Sequence, residues 1–154
     1  MKERISVEIK EFNQLSKEEL YRILQLRAVV FIQEQNAPYL DPDNKDLLAA
    51  HLMLKTENNR IIGYARLCPP DSYFKGSTCI GRVVSDPEYR RKGLGYIIME
   101  EAVKYMKKNF PEYPVEISAQ TYLIKFYQSF GFMQISNQYL EDGLPHVGMK
   151  LYFK

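Results

Sequence analysis

The sequence predicts an α/β fold, a mixed sheet with helices on both faces. Three observations carry this. Stretches of period-two alternation and stretches with helical apolar spacing follow one another in the order β-α-β-β-β-α-β-α-β-β. A strand–helix–strand unit, from "TCIGRVVS" to "PVEIS", lies in the middle, which makes its strands parallel neighbours joined by a right-handed crossover. Strand pairs on short turns flank that unit and should pair antiparallel, so the sheet is mixed and covered on both sides.

Each element has a local reason. "ISVEIKEF" (Ile5–Phe12) alternates like a strand. Ser16 with Glu19 three residues on is a capping-box signature, so a helix starts there and runs through "SKEELYRILQLRAVVFIQEQ". Its apolar stripe reads as Leu20, Ile23, Leu24, Arg27 or Ala28, and Phe31. "NAPYLDPDNKD" is a loop. Asp41, Asp43 and Asp46 in it resemble the start of a calcium loop. The required glycine and terminal glutamate are missing, so the stretch reads as a surface turn.

"AAHLMLKTENNRIIGYARLC" is two strands around a turn at Asn58 and Asn59. "TCIGRVVS" is the fourth strand, after the loop "PPDSYFKGS". "DPEYRRKG" then leads into a helix from Leu94 to near Asn109, which Pro111 stops. "YPVEISAQ" is the fifth strand, and "TYLIKFYQSF" is a short helix ended by Gly131. "FMQISNQY" and "HVGMKLYF" are the last two strands, joined by "LEDGLP".

Composition narrows the function. The chain has 154 residues, which fits one domain over 1–154 with a sizeable core. Hydrophobic residues make up 45% and charged residues 26%, the balance of a globular protein. A net charge of +2 argues against a nucleic-acid surface. Cys68 and Cys79 fit neither a zinc site nor a redox pair, and read as reduced thiols. No apolar run approaches the roughly 18 residues of a membrane span. "MKERISVEIK" lacks the apolar middle of a signal peptide. The expected protein is soluble and cytoplasmic, with no metal.

The stretch "RRKGLG", Arg90 to Gly95, points to chemistry. A helix start leaves N–H groups without partners at the positive end of its dipole, which is an anion site. Gly93 and Gly95 remove Cβ atoms that would hold a phosphate off the backbone, and Arg90, Arg91 and Lys92 add charge. The pattern is neither that of a P-loop nor that of a dinucleotide fold. Taken alone, it is also what a solvated basic turn with packing glycines would look like. The second cluster, "SAQTYLIKFYQSFGF", ends a strand at Gln120 and spaces Leu123, Phe126, Tyr127 and Phe130 along a short helix, where Tyr127 reads first as a core aromatic.

Together the two clusters resemble the GNAT N-acetyltransferase superfamily. Arg90-x-x-Gly93-x-Gly95 resembles its pyrophosphate signature, and "FYQSFGF" its second signature, one helix and one strand further on. "LRAVVFIQEQNAPYLDPD", "FYQSFGF" and "EDGLPHVGM" are similar to the ElaA-like branch. The resemblance implies a GNAT-like acyl-CoA N-acyltransferase fold, with the fourth and fifth strands splayed around acetyl-CoA. It implies pyrophosphate on the amides of Arg91, Lys92, Gly93, Leu94 and Gly95. Pantetheine would pair along Val83, Val84 and Ser85, with an N–H near Val84 polarising the thioester. Gln120 falls where many relatives carry a cofactor-contacting Asn, and Tyr127 matches the general acid.

For a base, the fifth-strand position of some relatives is Val115 here, and the adjacent Glu116 points to the other face. Glu34, His51 and His146 remain as candidates, or water carries the proton. "FIQEQ", with Gln35, would face the acceptor, and His51 and His146 are further acceptor contacts. The implied partner is a small-molecule or peptide amine, with no nucleic acid or membrane, and the chain is a monomer or homodimer. The alternative is an acyl-CoA sensor without turnover, which would have no use for a phenol at the thiol. Charge reversal at Arg91 and Lys92 should weaken CoA binding and flatten its salt dependence, as read by titration at two ionic strengths.

Overall fold

Eight strands form one mixed sheet in the computed structural model, which describes residues 4–36 and 38–154. β1 (Ser6–Glu11), β2 (Ala50–Lys55), β3 (Ile61–Cys68) and β4 (Thr78–Ser85) pair antiparallel in sequence order. β5 (Val115–Gln120) runs parallel to β4, and β8 (Leu144–Leu151) runs antiparallel to β5. β6 (Met133–Gln134) and β7 (Tyr139–Glu141) both pair with β8. The parallel pair flanks α2 (Leu94–Asn109), as the central strand–helix–strand pattern predicts. The Asn58–Asn59 turn closes with the Asn59 N–H on Thr56 O at 2.9 Å.

Period-two alternation divides the core between two faces. Leu52, Leu54 and Ile62 pack with Ile98, Met99 and Ala102 of α2 on one face, where α3 (Ile124–Gln128) also lies. Met53, Tyr64 and Val84 pack with Ile23, Leu26 and Val30 on the other, beneath α1 (Lys17–Arg27). β2 and β3 are buried along their whole length, as central strands should be. Cys68 and Cys79 are free, buried neighbours across β3 and β4.

The first helix departs from its predicted stripe. Its capping box is present, with the Glu19 N–H on Ser16 Oγ at 3.0 Å and the Ser16 N–H on Glu19 Oε1 at 2.8 Å. The buried face, however, is Glu19, Ile23, Leu26, Arg27 and Val30, while Ala28 is exposed and Leu20 and Leu24 are half-buried. Two charged side chains turn inward because partners wait there. Lys55 Nζ donates to Glu19 Oε2 at 2.6 Å, and Arg27 meets two aspartates. From Ala28 to Glu34 the chain winds as a π-helix, with the Gln35 N–H on Val30 O at 3.2 Å. π-turns of this kind recur at functional sites.

The aspartate-rich stretch is not a surface turn. Asp41 and Asp46 are buried, and three arginines from three elements converge on them and on Asp43. Arg27 Nε donates to Asp41 Oδ2 at 2.8 Å and its Nη1 to Asp46 Oδ1 at 2.7 Å. Arg66 Nη1 donates to Asp43 Oδ1 at 2.7 Å and to Asp46 Oδ1 at 3.2 Å. Arg82 Nε donates to Asp41 Oδ1 at 2.8 Å. Burial alone would raise the Asp46 carboxyl, but Arg27 and Arg66 outweigh it and hold it below its ordinary range.

The expected strand "FMQISNQY" is two short strands instead. Ser136 Oγ accepts the Gly148 N–H at 2.8 Å and so takes a ladder position between β6 and β7. The link to β8 is also tighter than "LEDGLP" suggested. Asp142 and Gly143, at φ 51° and 77°, make a two-residue hairpin turn of the type such φ values favour.

Arg27→Ala should cost about 3–5 kcal/mol in urea unfolding, because it removes one of the two arginines that each of the buried Asp41 and Asp46 carboxylates meets. The depressed carboxyls of Glu19, Asp43 and Asp46 bind fewer protons folded than unfolded. Their contribution is therefore present above about pH 4 and lost as pH falls below it, which acid titration of the unfolding midpoint would read.

Candidate functional site

β4 and β5 are partners at only two positions, Thr78 with Val115 and Cys79 with Glu116. Beyond these, β4 stays with β3 to Ser85 and β5 stays with β8 to Gln120, so the two strands splay. A bulge in β4 contributes. Gly81 faces Arg66 and Val84 faces Tyr64, so Arg82 and Val83 together oppose Ala65. Arg82 sits at φ 51°, a left-handed conformation held by its fork on Asp41.

The gap opens into a cleft of about 450 Å³, a fair size for a small-molecule site. Val83, Val84 and Ser85 form one wall and Ile117, Ser118 and Gln120 the other. Leu123 and Tyr127 reach it from the α3 side, and Phe31, Glu34 and Gln35 from the π-helical segment. Arg90 lies at its edge, and Glu141 and His146 line it from the β7–β8 hairpin. A wider groove of about 1170 Å³ lies along α1 and the β2–β3 turn. Its charges pair with one another, as in Lys10 with Glu19 and Arg60 with Asp86, and it holds none of the expected cofactor residues.

At the glycine loop, no side chain caps the start of α2, so its first N–H groups are open. Arg91 and Gly93 have φ of 64° and 74°. Alternating left-handed residues of this kind turn successive N–H groups toward one point, an anion-binding concavity. Gly93 therefore has a conformational reason to be glycine, and the space where its Cβ would lie is open. Gly95 lies against α3, where a Cβ would meet Phe126 Cζ at 3.4 Å, an ordinary contact distance. Lys92 Nζ lies 5.1 Å from the centre of the Tyr89 ring.

Arg90 forks onto Glu34, Nη1 to Oε2 at 2.8 Å and Nη2 to Oε1 at 2.6 Å. Tyr127 is 9% exposed, its ring against Phe126 and Phe132. Burial pushes its phenol up to about 12, so it is neutral at physiological pH. Its hydroxyl has no hydrogen-bond partner among the described residues and borders the cleft.

Residues 31–153 match the family model described as an acetyltransferase (GNAT) domain. The chain belongs to the GNAT acetyltransferase family. Protein ElaA from Escherichia coli is 38% identical over 138 residues, 89% of this chain and 90% of its own length. The crystal structure of an acyl-CoA N-acyltransferase from Pseudomonas aeruginosa superposes with TM-score 0.91 at 37% identity, covering 96% of this chain and 99% of the other. A GNAT family acetyltransferase from Elizabethkingia anophelis, with acetyl-CoA bound, shares the fold at TM-score 0.66 and 16% identity, covering 97% and 98%. This GNAT chain is ElaA-like, and its family is one of acyl-CoA-dependent acyltransferases. Among the described residues, no helix is long and apolar enough to cross a membrane.

The GNAT cleft gathers Glu34, Gln35, Val83, Val84, Ser85, Arg90, Gln120, Tyr127 and His146. Arg91, Lys92, Gly93 and Leu94 sit at the start of α2 beside it. His51 is not brought in. It is fully buried, its Nδ1 accepting from the Tyr64 hydroxyl at 2.6 Å and its Nε2 facing Asp46 O at 2.9 Å. Burial also lowers its pKa, so it is a neutral brace under the aspartate turn and not an acceptor contact. Sequence reasoning missed Ser118, Tyr122, Tyr139 and Glu141, of which the cleft holds the first two and the last. Nothing in their local pattern marks them, since each enters through strand pairing or a turn.

Gly95→Val should lower stability by about 1–3 kcal/mol in thermal unfolding, the usual cost of overpacking. Phe126→Leu in the same chain should recover part of that loss.

Proposed function

We propose that this chain transfers an acetyl group from acetyl-CoA to the amine of a small molecule or peptide. One observation carries the reading: an uncapped, glycine-bearing helix start opens beside splayed parallel strands, with a neutral, internally unpartnered phenol on the same gap. The residues present suit that co-substrate. The amides from Arg91 to Gly95 would hold the pyrophosphate, with Arg91 and Lys92 adding charge. The β4 edge at Val83, Val84 and Ser85 has no strand partner on the β5 side, so it can pair with an extended pantetheine as an added strand would. An N–H near Val84 would polarise the thioester carbonyl. Gln120 can donate or accept beside it.

Tyr127 would give its proton to the departing sulfur. A phenol pushed up to about 12 stays protonated until thiolate charge develops, which suits a late proton transfer. Arg90 and Glu34 act here as a clasp between the helix-start loop and the π-helical segment. Both Glu34 oxygens are occupied by that clasp, so Glu34 is poorly placed to accept a proton from an amine.

Acetyl-CoA should raise the melting temperature, since it binds the native state alone. A panel of amines, scored by release of CoA thiol, then tests turnover. Tyr127→Phe should lower the single-turnover rate by about 10²–10³-fold and leave the KM for acetyl-CoA nearly unchanged. A Phe variant with wild-type rates would return Tyr127 to the core, and binding with no turnover on any amine would favour a sensor.

A further inference from the structure

We infer that Glu141 and His146 form the proton-accepting pair that frees the acceptor amine for attack, an inference that rests on the acyltransferase reading above. The argument starts from strand register. Gln120 pairs with His146, and His146 also pairs with Tyr139 of β7. Along β5, Glu116, Ser118 and Gln120 alternate with the buried Val115, Ile117 and Ala119. Ser118, Gln120 and His146 therefore share the face opposite α2 and α3, whereas Tyr127 belongs to the core beneath those helices. The gap between β4 and β5 joins the two faces.

His146 is 6% exposed, and its Nδ1 lies 2.8 Å from Leu144 O. A carbonyl only accepts, so Nδ1 carries a proton, and the neutral form of the ring would present a lone pair at Nε2. Glu141 Oε2 stands 3.5 Å from that Nε2. In that form two acceptors face each other, which is a place for a proton or for an ammonium group. The rest of the cluster holds Glu141 in place. Ser118 Oγ donates to Glu141 Oε1 at 3.1 Å, the Tyr139 hydroxyl donates to Ser118 Oγ, and the Tyr139 ring stacks on His146. Of the other nearby carboxylates, Glu34 is engaged by Arg90 and Glu116 by Ser77 and Lys150 at the closed end of the splay, while Asp142 lines the cleft from the hairpin turn beside Glu141.

The protons balance. An ammonium donates one proton to His146 Nε2, and Glu141 stabilises the imidazolium. The neutral nitrogen attacks the acyl carbon, the C–N bond forms, and the C–S bond breaks with its electron pair on sulfur. Sulfur takes the Tyr127 proton, the nitrogen's second proton restores the phenol, and the imidazolium releases its proton to water. Glu141 and His146 touch the acceptor, while Ser118 and Tyr139 are positioning residues.

The test uses two acceptors of nearly equal shape, benzylamine, protonated at neutral pH, and O-benzylhydroxylamine, already neutral there. Glu141→Gln and His146→Gln, each confirmed folded by its melting temperature, are compared with wild type for CoA thiol release. The inference expects the benzylamine rate to fall by about 10²-fold or more. The O-benzylhydroxylamine rate should change less than about 3-fold, because that nucleophile needs no base before attack. Equal losses on both acceptors, or no loss on benzylamine, overturn the inference and leave the acyltransferase reading standing. A wild-type protein that binds acetyl-CoA but acetylates neither of these nor any amine of the panel overturns both. A measurement free of turnover stands beside these. With only two histidines, nitrogen NMR can assign the neutral His146 tautomer, and a proton found on Nε2 overturns the inference by itself.

Discussion

The convergence of Arg27, Arg66 and Arg82 on Asp41, Asp43 and Asp46 is the constraint on which the rest of this molecule depends. Three positive and three negative side chains meet where water is largely excluded, so none of them can move off alone without leaving a charge uncompensated. The partners come from the first helix, two central strands and the loop between helix and sheet. The network therefore sets where the loop can lie. It also holds Arg82 in its left-handed conformation, and that residue is half of the β4 bulge. Arg27 is the last residue before the π-helical turns, so the change of helical pitch begins where the helix is pinned.

From this follows a division of labour across the sheet. The β4–β5 splay is a slot through an otherwise continuous sheet. On one side lie α2, α3 and Tyr127, an environment apolar enough to keep a phenol protonated. On the other lie polar and ionisable groups, Ser118, Gln120, Glu141 and His146, presented by strand register and a tight hairpin. The Arg90–Glu34 fork joins the helix-start loop of one side to the π-helical segment of the other. Reaction in such a slot separates the group that approaches from the group that leaves, so one protein atom need not serve both proton transfers.

The two glycines of the helix-start loop show how one motif carries two physical demands. Gly93 is favoured by its backbone angle, and Gly95 lies against the ring of Phe126. The aromatic helix that carries Tyr127 thus packs against the start of α2 through Phe126, which meets Gly95 and Tyr96.

The sequence by itself determined the order of elements, the parallel central unit, the capping box at Ser16, the glycine loop and the aromatic helix. These are local signals, written in period, caps and short motifs, and the family follows from them. The long-range pairings were not legible. "DPDNKD" looks like a solvated turn because its partners, Arg27, Arg66 and Arg82, are each ordinary charged residues in their own segments. The inward turn of the first helix and the split of the penultimate strand arise in the same way, from partners supplied elsewhere. Tertiary structure alone decided that His51 is a buried brace and that Glu141 stands against His146. A side chain's chemistry depends on which neighbours and how much water surround it, and residues far apart in the chain supply both.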